Sequence, residues 1–317
     1  MKMPTPLRVG TRSSPLALAQ TDSIVTLLTH HDPHLDIEII PVSTTGDQDR
    51  DSSLQALGRG AFVKEIEHAL LNHKIDIAVH SAKDLAPGNT DKLSLVTAGQ
   101  REDPRDVLVS KDGSRLSQLT PGARIGTSSL RRLVQVKELR PDLIVQPIRG
   151  NVGTRLQKVQ GPDYDAVILA AAGLKRLGQL DVVSEYFDPS KFTSDVGQGT
   201  LVVQHRSADS QLGTSLASIT HAATSAAFRA ERTFLATVGG GCSSPVAAYA
   251  YIDGDRLRMA AMAGLPDGSR LFRTTCEGDT GSPETVGHLL GNKLLSMGLS
   301  LIHISAPTRR YAISYAV

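Results

Sequence analysis

Cys242 is one of only two cysteines in the chain, and three glycines precede it in "TFLATVGGGCSSPVAAY" (Thr233–Tyr249). A cysteine kept for packing needs no glycine run before it, whereas a thiol that must stand clear of the surface and bond to something large gains from one. A free thiol has a pKa of about 8.5 and becomes a nucleophile when cations and N–H donors lower that value. Cys276, in "RTTCEG", reads instead as a small buried hydrophobe.

Cations form a second set. Between Arg124 and Arg176 lie seven arginines and three lysines against four acids, in a chain whose formal net charge is only +2. Arg131 and Arg132 follow "IGTSS", Arg149 and Arg155 belong to "PIRGNVGTR", and Arg176 follows "ILAAAGLK". Arginine binds carboxylate or phosphate through a planar fork, and the backbone N–H groups of "GTSS" at a helix N-terminus add to an anion site. Any one of these arginines could simply belong to a solvated face. Several at strand–helix turns point to a small or medium polyanion. Tyr164 is the sole aromatic in this window, which disfavours nucleic acid, since stacking platforms use several.

The third set is "HSAKDL", where Lys83 and Asp84 follow an apolar run. A carboxylate in a cationic cleft can pass protons or stabilise a cationic intermediate. From this stretch alone, an N-capping aspartate beside a surface lysine is the simpler reading, and His80 reads as a satisfied core histidine.

The rest of the sequence supplies the scaffold. Hydrophobic residues make up 40% and charged residues 21%, the balance of a soluble globular protein. Met1–Gly10 shows no signal core or transit pattern, "AVILAAAGL" (Ala166–Leu174) is too short to span a bilayer, and two cysteines cannot build a disulfide framework. The expectation is a cytoplasmic protein. There is no GxxxxGK[ST], no HExxH and no zinc spacing, so no metal is expected. "HHDPH" (His30–His34) reads as a solvated loop.

Over the first 200 residues or so, short β-rich runs alternate with helical patterns, the mark of α/β layering. "LRVG" reads as a strand, with Ser14 as N-cap and Pro15 in the first turn of a helix. "GRGAFVKEIEHALLN" reads as a glycine loop opening an amphipathic helix, and "IDIAVH" as a buried strand. "RVGTRSS" matches "RIGTSSLRR", and "DIAVHSAKDL" echoes "DAVILAAAGLKRL". This repetition predicts two similar α/β domains with a ligand cleft at their strand C-terminal ends. "REDPRD" (Arg101–Asp106) and "TSDVGQG" (Thr193–Gly199) are the expected crossings. From about His221 a third unit begins: a helix ending at Gly239, strands "VAAYAYI" and "RLRMAAMAG", and a last helix near Thr285–Met297.

"GTRSSPLALAQ", "GAFVKEIE", "AVHSAKD", "REDPRD", "GTSSLRR", "RGNVGTRL", "AGLKRL", "VGQG", "RAERTFL" and "GGGC" stand in the order and spacing of the porphobilinogen deaminase (hydroxymethylbilane synthase) family. The chain resembles that family from about Leu7 to Gly298. The resemblance implies two periplasmic-binding-protein-like (type II) α/β domains and a small α+β domain. The implied division is residues 1–100 with 199–219, residues 101–198, and residues 220–298, followed by an atypical tail at 299–317. It implies a thioether from Cys242 to a dipyrromethane cofactor, extension by four porphobilinogen units with loss of ammonia, and hydrolytic release of a linear tetrapyrrole. Asp84 matches the catalytic aspartate, which assists amine departure, holds the resulting azafulvenium cation and helps take the ring proton. Each pyrrole bears an acetate and a propionate. Lys83, Thr127, Ser128, Ser129, Arg131, Arg132 and Arg155 match cofactor contacts, and Arg12, Ser14, Arg149, Arg176, Phe62 and Gln198 match substrate contacts. The loop ahead of Phe62 resembles the family's mobile lid, whose phenylalanine packs on the pyrroles. The implied partner is small-molecule porphobilinogen, and the implied state is a monomer without nucleic acid or membrane.

The chain departs from the family at Arg59, where lysine is common, at Pro87, one residue late, and at Gln204 and His205, where glutamate and often cysteine are favoured. Two rival readings compete with the transferase. A non-enzymatic two-lobed anion binder leaves the third unit and the glycine–cysteine loop unexplained. A thiol enzyme pairing Cys242 with a histidine such as His80 predicts inactivation by alkylating agents. "SLIHISAPTRRYAISYAV" (Ser300–Val317) does not resemble the family's ending and is either a divergent tail or foreign sequence. Truncation after Gly298 is therefore expected to leave a folded protein with an unchanged thermal midpoint, and loss of the cooperative transition would overturn this reading.

Overall fold

A computed structural model describes residues 6–44, 63–86, 88, 90–239 and 244–298. Cys242 with its two preceding glycines, Arg59, Phe62 and the rest of the expected lid, Pro87 and the tail lie outside the described residues.

Each of the first two sheets grows from a buried apolar strand. β1 (Leu7–Thr11) buries Leu7 and Val9 and runs parallel to β2 (Ile37–Pro41) and β3 (Ile77–Ser81). Between β1 and β2, α1 (Pro15–His31) starts as its sequence directs. The Ser14 side chain accepts a hydrogen bond from the Ala17 N–H at 3.3 Å, Pro15 occupies the first turn, and Ile24 and Leu28 face the core. α1 ends in the exposed histidine-rich loop. α2 (Lys64–Leu71) buries Ile66, Ala69 and Leu70. β4 (Leu93–Ala98) and β10 (Leu201–Arg206) complete the order β2-β1-β3-β10-β4, with β10 antiparallel to both neighbours.

The second sheet contains β5 (Asp106–Ser110), β6 (Arg124–Gly126), β7 (Ile144–Gln146), β8 (Ala166–Ala170) and β9 (Glu185–Tyr186). Its order, β7-β6-β8-β5-β9, repeats that of the first, again with one antiparallel strand, β5, beside the third parallel strand β8. Helices α3 (Leu130–Leu139), α4 (Val152–Gln160) and α5 (Ala171–Arg176) follow β6, β7 and β8. The repeat read from the sequence is thus a repeat of topology. It extends to side chains at the strand N-terminal ends. Arg8 binds Asp76 through its backbone N–H (3.0 Å) and its guanidinium (2.8 and 3.0 Å), and Arg124 binds Asp165 likewise (2.7 Å from the backbone, 3.3 Å from Nε and NH2).

Two crossings join the sheets, residues 99–105 and 187–200. They lie side by side: Glu102 N–H donates to Gly199 O at 3.2 Å, and Arg101 Nε donates to Gln198 O at 2.8 Å. Gly199 has φ +89°, and a Cβ there would sit 2.3 Å from Glu102 O, so only glycine allows this approach. After α6 (Ser210–Ala217), α7 (Ala222–Val238) ends at left-handed Gly239 as expected and buries Phe228, Phe234 and Leu235. It packs with α8 (Pro283–Ser296) on an antiparallel meander of β11 (Val246–Asp253), β12 (Arg256–Gly264) and β13 (Leu271–Asp279). On β13, Cys276 is half-buried, with Sγ 3.6 Å from Val286 O. From α7, the fully buried Glu231 accepts from Arg101 NH1 (2.6 Å) in the first crossing, Gly197 N–H (2.6 Å) in the second, and Ala250 N–H (2.7 Å) on β11.

A second buried carboxylate organises the second sheet. Asp106, at the start of β5, has no solvent exposure. Its oxygens accept from Arg131 NH1 (2.5 Å), from Arg132 Nε (3.0 Å) and NH2 (2.7 Å), and from Gln198 Nε2 (3.0 Å). Burial alone would favour the neutral acid, but the two guanidiniums outweigh it and hold the carboxyl well below its ordinary pKa. Asp106→Asn would leave two buried guanidiniums with only Asp195, 3.7 Å from Arg131 Nε, as counter-charge, a loss of about 3–5 kcal/mol. Because the folded pKa is depressed, this stabilisation is complete above the unfolded carboxylate value of about 4 and is lost as pH falls below it. Urea unfolding of wild type and variant is therefore expected to differ most near pH 7 and to converge progressively below pH 4.

Candidate active site

The pocket sits where parallel strands of both sheets end, the usual ligand position in open α/β folds. From the first sheet come Arg12 and Ser14, just past β1, and Lys83 and Asp84, in a 3-10 turn (Ala82–Asp84) directly after β3. From the second come Ala170 at the end of β8, Arg176 on α5, Arg155 on α4 and Arg132 on α3. Gln198 and Gly199 of the return crossing close the inner side. Five cationic side chains therefore line the pocket, and Asp84 is its one acidic residue among those described.

Asp84 is exposed into this pocket and does not cap a helix. Desolvation by the surrounding protein raises its pKa, opposed by the charges of Lys83, Arg12 and Arg155 and supported by that of Asp195. For Lys83, desolvation and then the Arg132 charge lower the pKa, and its Nζ donates to Gln198 Oε1 at 3.4 Å. Arg155 is pushed down to about 10, by desolvation first and then by repulsion from Arg132, with Asp84 opposing. Arg176 donates to Gly199 O at 2.8 Å, and burial lowers its pKa too. Lys83, Arg132, Arg155 and Arg176 all have their proton affinities lowered, chiefly by desolvation, a cost that a multiply charged anion would relieve.

The other expected residues take supporting positions. Ser14 caps α1. Thr127 is buried and accepts from Ser129 N–H at 3.1 Å, and Ser129 caps α3. Ser128 Oγ donates to Ile148 O at 2.8 Å and accepts from Ile148 N–H at 3.2 Å, tying the end of β6 to the segment that carries Arg149. Thr127, Ser128, Ser129, Arg149 and Arg131 do not line the pocket formed by the described residues. Arg131 spends its guanidinium on Asp106 and Thr193 O. Gln198 uses Nε2 on Pro104 O and Asp106 and offers Oε1 to Lys83, which links Asp106 to the turn bearing Asp84.

Sequence reasoning missed Asp106, which looked like one more charge in the linker "REDPRD". It also missed Arg232, which donates to Ala86 O (3.2 Å) and Gly88 O (3.1 Å) behind the Lys83–Asp84 turn. Both lie in stretches, "REDPRD" and "RAERTFL", that carried the family resemblance but to which no residue role was attached. His80 is, as expected, a buried histidine with a partner, Gln204. Among the described residues no group of three or more histidine, cysteine or acidic side chains could hold a metal, and no helix is long and apolar enough to cross a membrane.

Two family models match this chain: "Porphobilinogen deaminase, dipyromethane cofactor binding domain" over residues 7–214 and "Porphobilinogen deaminase, C-terminal domain" over residues 226–296. A porphobilinogen deaminase of Sorangium cellulosum (strain So ce56) is 45% identical over 297 residues, covering 92% of this chain and 99% of its own length. Another, of Roseiflexus castenholzii (strain DSM 13941 / HLO8), is 44% identical over 293 residues, covering 92% and 96%. Among solved structures, the methionine-binding protein MetQ aligns over 67% of this chain and 89% of its own, with 12% identity and a TM-score of 0.43. From the two lobes with their cationic cleft and from these matches, the chain belongs to the porphobilinogen deaminase family, transferases that condense porphobilinogen units into a linear tetrapyrrole on a dipyrromethane cofactor.

Proposed function

We propose that Asp84 is the catalytic carboxylate of this transferase and that Cys242 carries its dipyrromethane as a thioether. The observation that carries the first assignment is the position of Asp84 as the acidic group in a pocket lined by Arg12, Lys83, Arg132, Arg155 and Arg176. The second rests on the glycine loop and its match to the family motif. The cofactor supplies a covalent primer on which the chain of pyrroles is built. Its acetate and propionate groups suit the crowded cationic wall.

In this reading Arg132, Arg155 and Lys83 bind cofactor carboxylates, with Thr127, Ser128, Ser129 and Arg131 shaping that region. Arg12, Ser14, Arg149, Arg176, Gln198 and Phe62 serve the incoming substrate. Porphobilinogen arrives with a protonated aminomethyl group. As ammonia departs, positive charge spreads over the methylene and ring, and Asp84 stabilises it at close range. Bond formation at the free α-carbon then leaves a proton that Asp84 accepts, and a pKa raised by desolvation suits that role. The arginines exclude bulk water from the anionic groups and fix their positions. Residues 1–100 with 199–219, residues 101–198 and residues 220–298 act as three domains, in a cytoplasmic monomer that binds neither nucleic acid nor membrane.

The intact mass of the denatured protein tests the cofactor assignment. An excess equal to two porphobilinogen units less their ammonia is expected, and it should vanish in Cys242→Ser. An excess retained in that variant would overturn Cys242 as the attachment site. Asp84→Ala should retain the excess yet lose at least ~100-fold in turnover, the usual scale of a lost acid–base group, and unchanged turnover would overturn the role of Asp84.

A further inference from the structure

His80 lines the same pocket as Asp84, yet the reaction described above gives it no task. The residue is 6% exposed, and Nε2 lies 3.1 Å from Oε1 of Gln204, itself 2% exposed on β10. The other end of the Gln204 amide donates through Nε2 to Glu67 Oε1 on α2 at 2.9 Å, and that same oxygen accepts from Thr90 Oγ1 at 2.6 Å.

The direction of this run is fixed by its end. Glu67 Oε1 accepts from both the Gln204 amide nitrogen and Thr90 Oγ1, so the amide oxygen is left to face the imidazole. An amide oxygen only accepts, so the hydrogen between His80 and Gln204 belongs to Nε2, and Nδ1 keeps its lone pair. The charged groups acting on the ring come from two sides. Glu67 on α2 favours the imidazolium, and Arg12, past β1, opposes it. Burial is the largest influence and outweighs both the Gln204 hydrogen bond and Glu67, so the ring stays neutral down to about pH 4. A charged His80 would add a sixth cation to the five that line the pocket, and would lower the proton affinity of Asp84.

We propose that Gln204 is a positioning residue that selects the Nε2–H tautomer of His80 and, because its amide cannot titrate, adds no ionisable group beside a ring that burial keeps neutral. The proposal deepens the reading of Asp84 as the group acting in this pocket. A carboxylate at position 204 would face Glu67 at hydrogen-bond distance, and the two acids would draw a proton, either between themselves or onto His80. The amide avoids this because it cannot titrate.

The test is two-bond ¹H–¹⁵N NMR of the holoenzyme labelled at histidine, with the His80 signals identified by their absence in His80→Gln. The expected wild-type pattern is that of an Nε2–H imidazole, unchanged between pH 5.5 and 8. In Gln204→Glu the same signals should titrate within that interval. Over the same range KM for porphobilinogen should fall several-fold toward acid while kcat falls with it, because an added cation tightens anion binding and weakens Asp84 as a base. Gln204→Met provides a second variant of similar size without the fixed polarity, and there the Nε2–H pattern should give way to a mixture of tautomers. A wild-type Nδ1–H pattern, or a wild-type His80 titrating between pH 5.5 and 8, would overturn the proposal. So would a non-titrating His80 in Gln204→Glu, or an unmixed Nε2–H pattern in Gln204→Met. The NMR readouts do not depend on turnover, so failure of the Asp84 assignment would show separately, as activity retained in Asp84→Ala.

Discussion

A carboxylate sealed from water sets the terms for the rest of the molecule. Asp106 stands at the entrance to the second sheet, and two arginines from α3 close on it together with Gln198 from the returning crossing. Without that negative charge, two adjacent guanidiniums on consecutive residues would repel each other in a dry interior. With it, Arg131 becomes a strut that also reaches Thr193 O, while Arg132 braces Ile168 O and still presents itself to the pocket. Gln198 extends the network to Lys83 and so to the turn bearing Asp84. One interaction thus fixes Arg132 of the cationic wall, the return crossing and, through one further link, the turn that carries the acid. A cleft between two lobes needs this coupling, because residues from both must keep register to sub-ångström tolerances.

Glu231 solves a different problem. It joins the first crossing, the second crossing and β11 at one buried point. The third sheet is thereby anchored at the junction between the lobes, with both crossings bonded to the same carboxylate. α7 runs from that point to Gly239, where the glycine loop begins.

Much of this was legible in the sequence where local chemistry decides structure. Ser14 and Pro15 announced the start of α1, Gly239 the end of α7, and the strand–turn repeats the doubled architecture. The bland reading of Asp84 as a helix cap fails because the chain makes only a 3-10 turn there. β13 escaped notice because its side chains lie mostly half-buried or exposed, and Thr274 alone is buried, so no apolar alternation marks it. Asp106 and Glu231 escaped for another reason. Nothing local distinguishes an acid that will be entombed from one that will be solvated, since the arginines that make burial tolerable stand 25 to 130 residues away in the chain. The counter-charges at Arg131 and Arg132 were visible, but the sequence offered ligand carboxylates and protein carboxylates as equal claimants.

The paired clamps Arg8–Asp76 and Arg124–Asp165 carry a further meaning. They occupy equivalent places in the two lobes, with the same backbone and side-chain donors on the same carboxylate, at the strand ends remote from the pocket. At the opposite ends of the same strands the lobes have parted company: one offers an aspartate and a lysine after its third strand, the other a small-residue helix leading to an arginine. One ancestral lobe copied within a single chain would leave this pattern. In such a copy the end that holds the sheet together is kept in both lobes, while the pocket end is free to carry an acid in one and cations in the other.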